Sequence, residues 1–292
     1  MDGGALPSQR STCPYCGVGC GVLLTPDGNG GLLVQGDPEH PANFGKLCSK
    51  GSALGDTVGE AVNRGYRLRA PMMHGREVSW DTALQEVADR FKATIELHGP
   101  DACAFYVSGQ LLTEDYYVAN KLIKGFIGTA NIDTNSRLCM ASTVAGHKRA
   151  FGTDTVPGTY DDLDTADLVV LVGSNMAWCH PILMQRVLKA RATHGTRIIV
   201  VDPRRTASCD QADMHLKIEP GSDVALFNYL LSEIDARGAT QQSYLENTNG
   251  FAAALEAARA DPVGVTGLSS AELVAFADDW IGTENVVTVF SQ

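Results

Sequence analysis

A chain of 292 residues, 44% hydrophobic and 20% charged, is long enough to bury a sizeable core and has an ordinary globular composition, which excludes disordered and fibrous classes. Its formal net charge of −11, with the basic residues scattered along the chain, argues against a nucleic acid as partner. No apolar run approaches the roughly 18 residues that a membrane span needs, so we also expect no membrane partner.

The N-terminal region, residues 1–65, is rich in Gly, Pro and Cys. It shows no basic segment followed by an apolar one, which predicts a cytoplasmic protein. Two strand-like segments, Gly21–Thr25 and Gly31–Gln35, flank a turn of Pro, Asp, Asn and Gly residues. A region this small needs a staple, and cytoplasmic thiols stay reduced, so its cysteines predict metal binding and not disulfides.

Four of the eight cysteines lie in this region, in the pattern Cys13-x2-Cys16-x3-Cys20 with Cys48 further on. Four thiolates match either a tetrahedral zinc site or a [4Fe–4S] cluster. Structural zinc usually takes two Cys-x2-Cys-like pairs, whereas the second half here offers a single cysteine, which favours the cluster. A group of inert, buried cysteines is the third alternative.

Glycines and a lysine accompany these cysteines. Gly17, Gly19 and Gly21 allow the backbone to come close to a cluster and to adopt positive φ. Lys50 follows Cys48 by two residues, where a cation would stabilise the reduced form of an anionic cluster. A solvated surface lysine is the alternative interpretation of Lys50.

Beyond this region the chain alternates between strand and helix patterns. From Ser79 apolar residues recur at helical spacing until Gly99-Pro100, which predicts a helix. The later pattern is typical of βαβ units around a parallel sheet, which binds ligands at the carboxyl ends of its strands. The predicted strands are Cys103–Val107, Leu168–Val172, Arg197–Val201, Met214–Ile218 and Val286–Phe290, and the predicted helices are Thr113–Phe126, Cys139–Ala150, Pro181–Thr193 and Asp223–Ala236.

Segments along the whole chain resemble the molybdopterin oxidoreductase family. The stretch Thr12-Cys-Pro-Tyr-Cys-Gly-Val-Gly-Cys20, with residues 36–43 and 47–51, is similar to the N-terminal [4Fe–4S] domain of that family. The segments that resemble its motifs for bis(molybdopterin guanine dinucleotide) are residues 135–142, 151–152, 171–177, 202–206 and 220–223. The resemblance implies an α/β fold, with a small iron–sulfur domain (residues 1–65) ahead of a parallel-sheet region (residues 66–292). We expect that region to be truncated at the C-terminus, because the chain stops on a strand-like run.

The resemblance also implies the ligands of both metal centres. Cys139 would supply the protein sulfur to molybdenum, and the start of its predicted helix favours a thiolate, although core packing is the alternative. Lys50 would connect cluster and pterin, while Gln110 and Asn135 would touch the pterin through amides that both donate and accept hydrogen bonds. For these two amides the alternative is a turn or cap. The implied ligands of the [4Fe–4S] cluster are Cys13, Cys16, Cys20 and Cys48.

The other candidate cofactor residues follow predicted strands. The loop after Leu168–Val172 would cradle a pyrophosphate through its backbone amides, and Asp202 would accept hydrogen bonds from a ribose or a guanine edge. Asp223 would add another carboxylate, or simply cap the helix that it begins. The candidates in these loops are Gly173, Ser174, Asn175, Asp202, Arg204, Thr206, Gly221 and Asp223.

Within the family the chain resembles the assimilatory nitrate reductases most and the periplasmic ones next. That likeness implies reduction of nitrate to nitrite by oxygen-atom transfer at molybdenum, with electrons from ferredoxin, flavodoxin or an NAD(P)H-linked reductase subunit. Formate dehydrogenases typically have a histidine after the metal-binding residue, whereas Met140 follows Cys139 here. A formate dehydrogenase-like molybdoenzyme and a non-catalytic iron–sulfur electron-transfer module are the alternatives. We expect this segment alone to be inactive, because the rest of the pocket would lie beyond it.

Overall fold

The computed structural model of the chain describes residues 7–58, 68–109 and 111–290. The chain divides into two compact units, one up to Thr155 and one from Val156 onward. The predicted domain boundary between residues 65 and 66 lies outside the described residues. No helix within the described ranges combines the length and the apolar character that a membrane span requires.

Short strands and helices alternate through most of the described chain. The strands, β1 to β11 in chain order, are Gln9–Thr12, Gly21–Pro26, Leu32–Gly36, Met72–Met73, Arg76–Glu77, Phe105–Val107, Ile132–Thr134, Leu168–Val172, Arg197–Val201, Met214–Leu216 and Val286–Phe290. The described α-helices, α1 to α11, are Ser49–Ser52, Trp80–His98, Thr113–Asn120, Ser136–Phe151, Tyr160–Thr165, Met176–Cys179, Pro181–His194, Asp223–Ala236, Gln242–Leu245, Phe251–Ala260 and Ser270–Ile281.

The first unit begins with a three-stranded antiparallel sheet in the order β1-β2-β3. Strands β1 and β2 pair up to Thr12 and Gly21, so the chain between them forms a closed loop. Strands β2 and β3 pair from Pro26 with Leu32 to Val22 with Gly36. The pairing of β1 with β2 therefore fixes both ends of the loop between them.

Helix α2 has the signals that its sequence predicts. The Ser79 hydroxyl accepts a hydrogen bond from the Thr82 backbone N–H at 3.2 Å, which satisfies one of the unpaired donors of the first turn. Gly99 ends the helix with a φ of +81°, and Pro100 prevents its continuation. Strands β6 and β7 then pair in parallel, with Val107 opposite Thr134, so both end at the same edge.

The second unit contains a four-stranded parallel sheet in the order β10-β9-β8-β11. Every residue of β8 is buried, and so are the last four residues of β9, because helices cover both faces of a parallel sheet. This explains why the sequence shows continuous apolar runs here instead of alternation. The strand order reverses at β8, since β9 and β10 lie on one side of it and β11 on the other.

Phe276 on α11 is the largest fully buried side chain of the second unit and packs edge-on against Trp280 with ring centroids 5.9 Å apart. We expect Phe276→Ala to lower the free energy of unfolding by about 3–5 kcal/mol, because it leaves a cavity in the core. Urea denaturation measures the loss. Val274→Ala on the same helix is the control, since Val274 is 46% exposed and its truncation costs little. Equal losses in the two variants would contradict this packing.

A buried cation joins α5 to α7. The Arg186 side chain is 6% exposed, and its guanidinium donates to both oxygens of Asp164 at 3.0 and 2.5 Å and to Asp161 at 2.9 Å. The pKa of Arg186 is raised, because the hydrogen bonds and charges of the two carboxylates outweigh the lowering effect of its burial. These ion pairs hold α5, which precedes β8, against α7.

Some boundaries differ from the sequence predictions. Helix α4 begins at Ser136 and not at Cys139, and it has a kink at Met140, where φ is −120° and ψ is 18°. The predicted helix Thr113–Phe126 is α-helical only to Asn120 and continues as a π-helix to Ile127. Polar residues near both ends of α4 weaken the apolar periodicity from which such boundaries are predicted.

Candidate functional site

The loop between β1 and β2 holds three of the four candidate cluster ligands. Cys13 and Cys20 are buried, 8% and 7% exposed, and the Cys13 backbone N–H donates to the Cys20 carbonyl at 2.8 Å, which closes the loop. Cys16 is half-buried at its tip. Cys48 is half-buried too and directly precedes α1. None of the chain's eight cysteines, all of which the structure describes, forms a disulfide.

The charges of the three other candidate ligand cysteines reach Cys20. The pKa of Cys20 is raised from 9.0 to about 11, first by burial and then by the charges of Cys13, Cys16 and Cys48. Thiolates repel one another in this way only at short range. The protein alone therefore disfavours the charged state that a metal centre would stabilise.

The raised pKa of Cys20 predicts a pH dependence for the metal-free chain. Between pH 9 and about 11 the unfolded chain loses a proton that the folded chain keeps, so stability falls as pH rises through that interval. Melting temperatures of the metal-free chain at pH 8 to 11 would show it. Cys20→Ser removes the thiol, and we expect a smaller loss over the same interval. A melting curve with the same pH dependence in both proteins would contradict the assignment.

These residues fit an iron–sulfur cluster by the chemistry of their donors. Four thiols are the number and kind of donor that a [4Fe–4S] centre needs; two of them are buried, and Cys20 feels the charges of the other three. In the described ranges no group of three or more His, Cys, Asp or Glu side chains is placed to hold a metal ion. The fit therefore rests on the identity and grouping of the thiols.

The structure assigns different roles to the nearby glycines. Gly19 has a φ of +67°, which glycine adopts without a steric penalty, as the sequence predicts. Gly21 is required for a different reason, because a Cβ there would stand 2.3 Å from the His40 ring. A Cβ on Gly51, after Lys50, would come within 3.9 Å of the Cys13 sulfur, which places α1 beside the loop. Lys50 itself is exposed.

Cys139, the candidate molybdenum ligand, is exposed in the first turn of α4. It stands immediately before the kink at Met140, so the regular part of the helix begins after it and not at it. Cys139 is therefore not enclosed in the core of the described part of its unit. The alternative of core packing does not describe this cysteine.

Asn135 joins the loops that follow β6 and β7. Its side-chain oxygen accepts a hydrogen bond from the Gly109 backbone N–H at 2.6 Å, and its side chain makes no cap hydrogen bond to α4. The segment before Gln110 is thereby held beside Asn135. Gln110 itself lies outside the described residues.

The candidate residues of the second unit meet at one edge of its sheet. Val172 lies opposite Val201, and Val201 opposite Leu216, so β8, β9 and β10 end in line. The loops that begin there contain all eight candidate residues of this unit, which therefore lie at the carboxyl edge. The order also reverses between β8 and β11, which is where open parallel sheets bind their ligands.

The Asp202 carboxylate is mostly buried at this edge and has one oxygen that can accept from a ligand. Its side chain is 6% exposed, and one oxygen accepts a hydrogen bond from the Arg204 backbone N–H at 2.8 Å. Within the described chain no hydrogen-bond donor reaches its other oxygen. The second oxygen is open to solvent, since no buried side-chain oxygen of the described chain lacks a partner, so it can accept from the N–H or O–H group of a ligand. The exposed Arg204 guanidinium lies 3.9 Å from the oxygen that already accepts the backbone hydrogen bond, so it does not occupy the second oxygen.

A residue of the loop after β9, whose role the sequence did not predict, binds the loop after β8. Ser208, fully buried in the short helix Ala207–Gln211, donates to the Asn175 side-chain oxygen at 3.0 Å and accepts from the Ala177 backbone N–H at 3.1 Å. It thus ties the loop after β8 to the loop after β9. Ser174, in the loop after β8, is also buried. The four-residue helix α6 lies between this loop and α7.

The loop after β10 presents two candidates. Gly221 has a φ of +81°, and open space lies where its Cβ would be. Asp223 begins α8, but neither it nor Ser222 caps the helix, since the Ser222 hydroxyl donates to the Glu219 carbonyl at 2.6 Å. The alternative role of Asp223 as a cap is therefore wrong. Thr206, in the preceding loop, lies 3.7 Å from the Cys209 sulfur.

Comparisons with known proteins match both parts of the chain. A family model described as "Molybdopterin oxidoreductase" matches residues 67–239, and one described as "Molybdopterin oxidoreductase Fe4S4 domain" matches residues 7–59. The solved structure of acetylene hydratase from Pelobacter acetylenicus superposes with a TM-score of 0.80 over 97% of this chain and 40% of that one. At 20% identity this likeness concerns the fold alone.

Curated relatives are much closer in sequence. The chain is 49% identical over 287 residues to a "Nitrate reductase" from Klebsiella oxytoca, covering 98% of this chain and 33% of that protein. It is 43% identical over 226 residues to a "Periplasmic nitrate reductase" from Desulfovibrio desulfuricans, covering 75% of this chain and 29% of that protein. The chain thus spans about a third of the length of the curated relatives that it matches.

Proposed function

This chain belongs to the molybdopterin oxidoreductase family, and from that premise we propose that it is part of the catalytic subunit of a nitrate reductase. The observation that carries the proposal is the 49% identity to a nitrate reductase over 98% of the chain. The four candidate cluster cysteines and the sheet edge with Asp202 support it, because they offer thiols and a carboxylate of the kinds that a cluster and a dinucleotide cofactor bind.

When bound, a molybdenum bis(molybdopterin guanine dinucleotide) centre supplies two-electron oxygen-atom transfer, which converts nitrate, two protons and two electrons into nitrite and water, and a [4Fe–4S] cluster supplies the electrons singly. The residues of this chain hold those groups. We assign Cys13, Cys16, Cys20 and Cys48 to the cluster. The exposed ammonium of Lys50, on α1 beside them, provides a cation toward the pterin, and Cys139 provides one soft thiolate to molybdenum.

The loops at the sheet edge orient the nucleotide parts of the cofactor. Asp202 accepts from a guanine or ribose donor with its uncommitted oxygen, and Asp223 offers a second carboxylate. Asn135 and Gln110 serve the pterin through their amides. The remaining nucleotide-binding residues in this assignment are Gly173, Ser174, Asn175, Arg204, Thr206 and Gly221.

We propose a division into a cluster domain, residues 1–65, and a molybdopterin region, residues 66–292, which agrees with the spans of the two family matches. The electron donor is a ferredoxin, a flavodoxin or an NAD(P)H-linked reductase subunit. We place the protein in the cytoplasm and in nitrate assimilation. Cell fractionation tests it, and recovery from the periplasm would refute it.

The proposed reaction is tested with the complete enzyme and reduced viologen as electron donor. We expect nitrite to form in proportion to the dye oxidised, at two electrons per nitrite. Formate-dependent dye reduction without nitrite would instead show a formate dehydrogenase-like enzyme. A protein that contains iron but no molybdenum, and that forms neither product, would be an electron-transfer module.

A further inference from the structure

Asn43 is a buried polar residue whose side chain is fully occupied by backbone partners. It is 1% exposed. Its side-chain oxygen accepts from the Gly21 backbone N–H at 2.9 Å, and its side-chain nitrogen donates to the Gly21 carbonyl at 3.0 Å and the Lys46 carbonyl at 2.9 Å. One amide therefore meets three backbone groups, two of them 22 residues away.

The need for this amide arises where strand β3 ends. The β2–β3 ladder stops at Val22 and Gly36, and the next pair would be Gly21 with Asp37. The Asp37 N–H does donate to the Gly21 carbonyl at 3.0 Å, but the Asp37 carbonyl accepts from His40 and Gly45 instead of from Gly21. The Gly21 N–H is thus left for Asn43, whose amide continues the ladder by one position.

The partners of Asn43 lie next to two different cluster ligands. Gly21 directly follows Cys20, and Lys46 precedes Cys48 by two residues. The loop that carries Cys20 and the segment that carries Cys48 are therefore joined through one buried side chain.

We propose that Asn43 is a positioning residue that sets the Cys20 and Cys48 sulfurs in place for the iron–sulfur cluster before the cluster binds. This inference rests on the cluster assignment above but not on the identity of the substrate. Hydrogen bonds that fix the positions of the ligands slow the release of a metal, because a sulfur that leaves the metal stays close enough to bind it again. Loss of the Asn43 hydrogen bonds permits the two ligand segments to separate.

Two substitutions alter the amide in different ways. Asn43→Asp keeps the size but directs a second acceptor at the Gly21 and Lys46 carbonyls, which is repulsive. Asn43→Ser is smaller and keeps a single hydroxyl, so it fits the space while losing most of the three bonds. Asn29→Ser is the matched control, since Asn29 is exposed at the turn between β2 and β3.

The experiment reconstitutes the cluster in the full chain with ferrous iron and sulfide, then measures iron per chain, iron release to a chelator, and the electron paramagnetic resonance spectrum of the reduced cluster. We expect release about tenfold faster or more in Asn43→Asp and Asn43→Ser, with altered g-values, and no change in Asn29→Ser. The altered spectrum is the readout that a purely structural role would not produce.

A parental release rate and spectrum in either Asn43 variant, with its apo form folded by circular dichroism, overturns the inference. Loss of the folded apo form in both variants also overturns it, because Asn43 would then hold the fold and not the ligand geometry. A parent chain that takes up no cluster refutes the cluster assignment itself, which is a different result from parental uptake with unchanged variants.

Discussion

Cys48→Ser is expected to eliminate the cluster and the sulfur-to-iron absorbance. A serine hydroxyl is a harder and far less acidic ligand than a thiol, so it does not replace the thiolate on iron. The position makes the effect specific, because Cys48 is within electrostatic reach of Cys20 while lying outside the loop that holds the other three. The substitution keeps the local backbone structure, since the Cys48 carbonyl accepts from the Ser52 N–H at 2.9 Å and this bond does not involve the side chain.

The measurement for Cys48→Ser is iron and acid-labile sulfide per chain together with the visible spectrum. We expect both contents to fall to background while the circular dichroism of the second unit's helices persists. Cys179→Ser is the matched control, because it removes an exposed thiol from α6 in the other unit. An unchanged spectrum in Cys48→Ser, or zinc in place of iron in the parent chain, would refute the ligand set.

The sheet of the second unit was predictable from sequence alone, and the reason is burial. Strands β8, β9 and β11 match their predicted bounds because each is a run of five mostly apolar residues next to turn-forming residues. The start of α8 at Asp223 was predictable as well, since Pro220 and Gly221 mark the turn before it. The carboxyl-edge loops followed from these strands.

Other features depend on contacts that no local pattern encodes. Strand β7 is three residues long with half-buried ends, which is too short for a periodic signal. Ser208 and Asn43 bind groups 33 and 22 residues away, so their roles appear only when the loops are folded. A polar residue between apolar neighbours would have been the only hint. The kink at Met140 determines the position of Cys139. It could not be predicted from the sequence, because no proline or glycine stands next to it.

For the catalytic centre, we expect Cys139→Ala to abolish nitrate reduction in the complete enzyme while the iron content stays at the parental value. Cys139 is exposed just before the kink in α4, so its removal opens no cavity in a packed core, and stability should change little. Its proposed contribution is chemical, because a soft thiolate donates to the metal that accepts the oxygen atom. Because this substitution leaves the cluster ligands in place, the iron content distinguishes Cys139→Ala from Cys48→Ser.

The assay for Cys139→Ala follows nitrite formation with reduced viologen, alongside molybdenum and iron contents and the melting temperature. Cys179→Ala is the control, as it also truncates an exposed cysteine, here the last residue of α6. Parental turnover in Cys139→Ala would remove this residue from the metal. A parallel loss of activity and iron would show a structural defect instead, because removal of a molybdenum ligand alone leaves the iron–sulfur cluster in place.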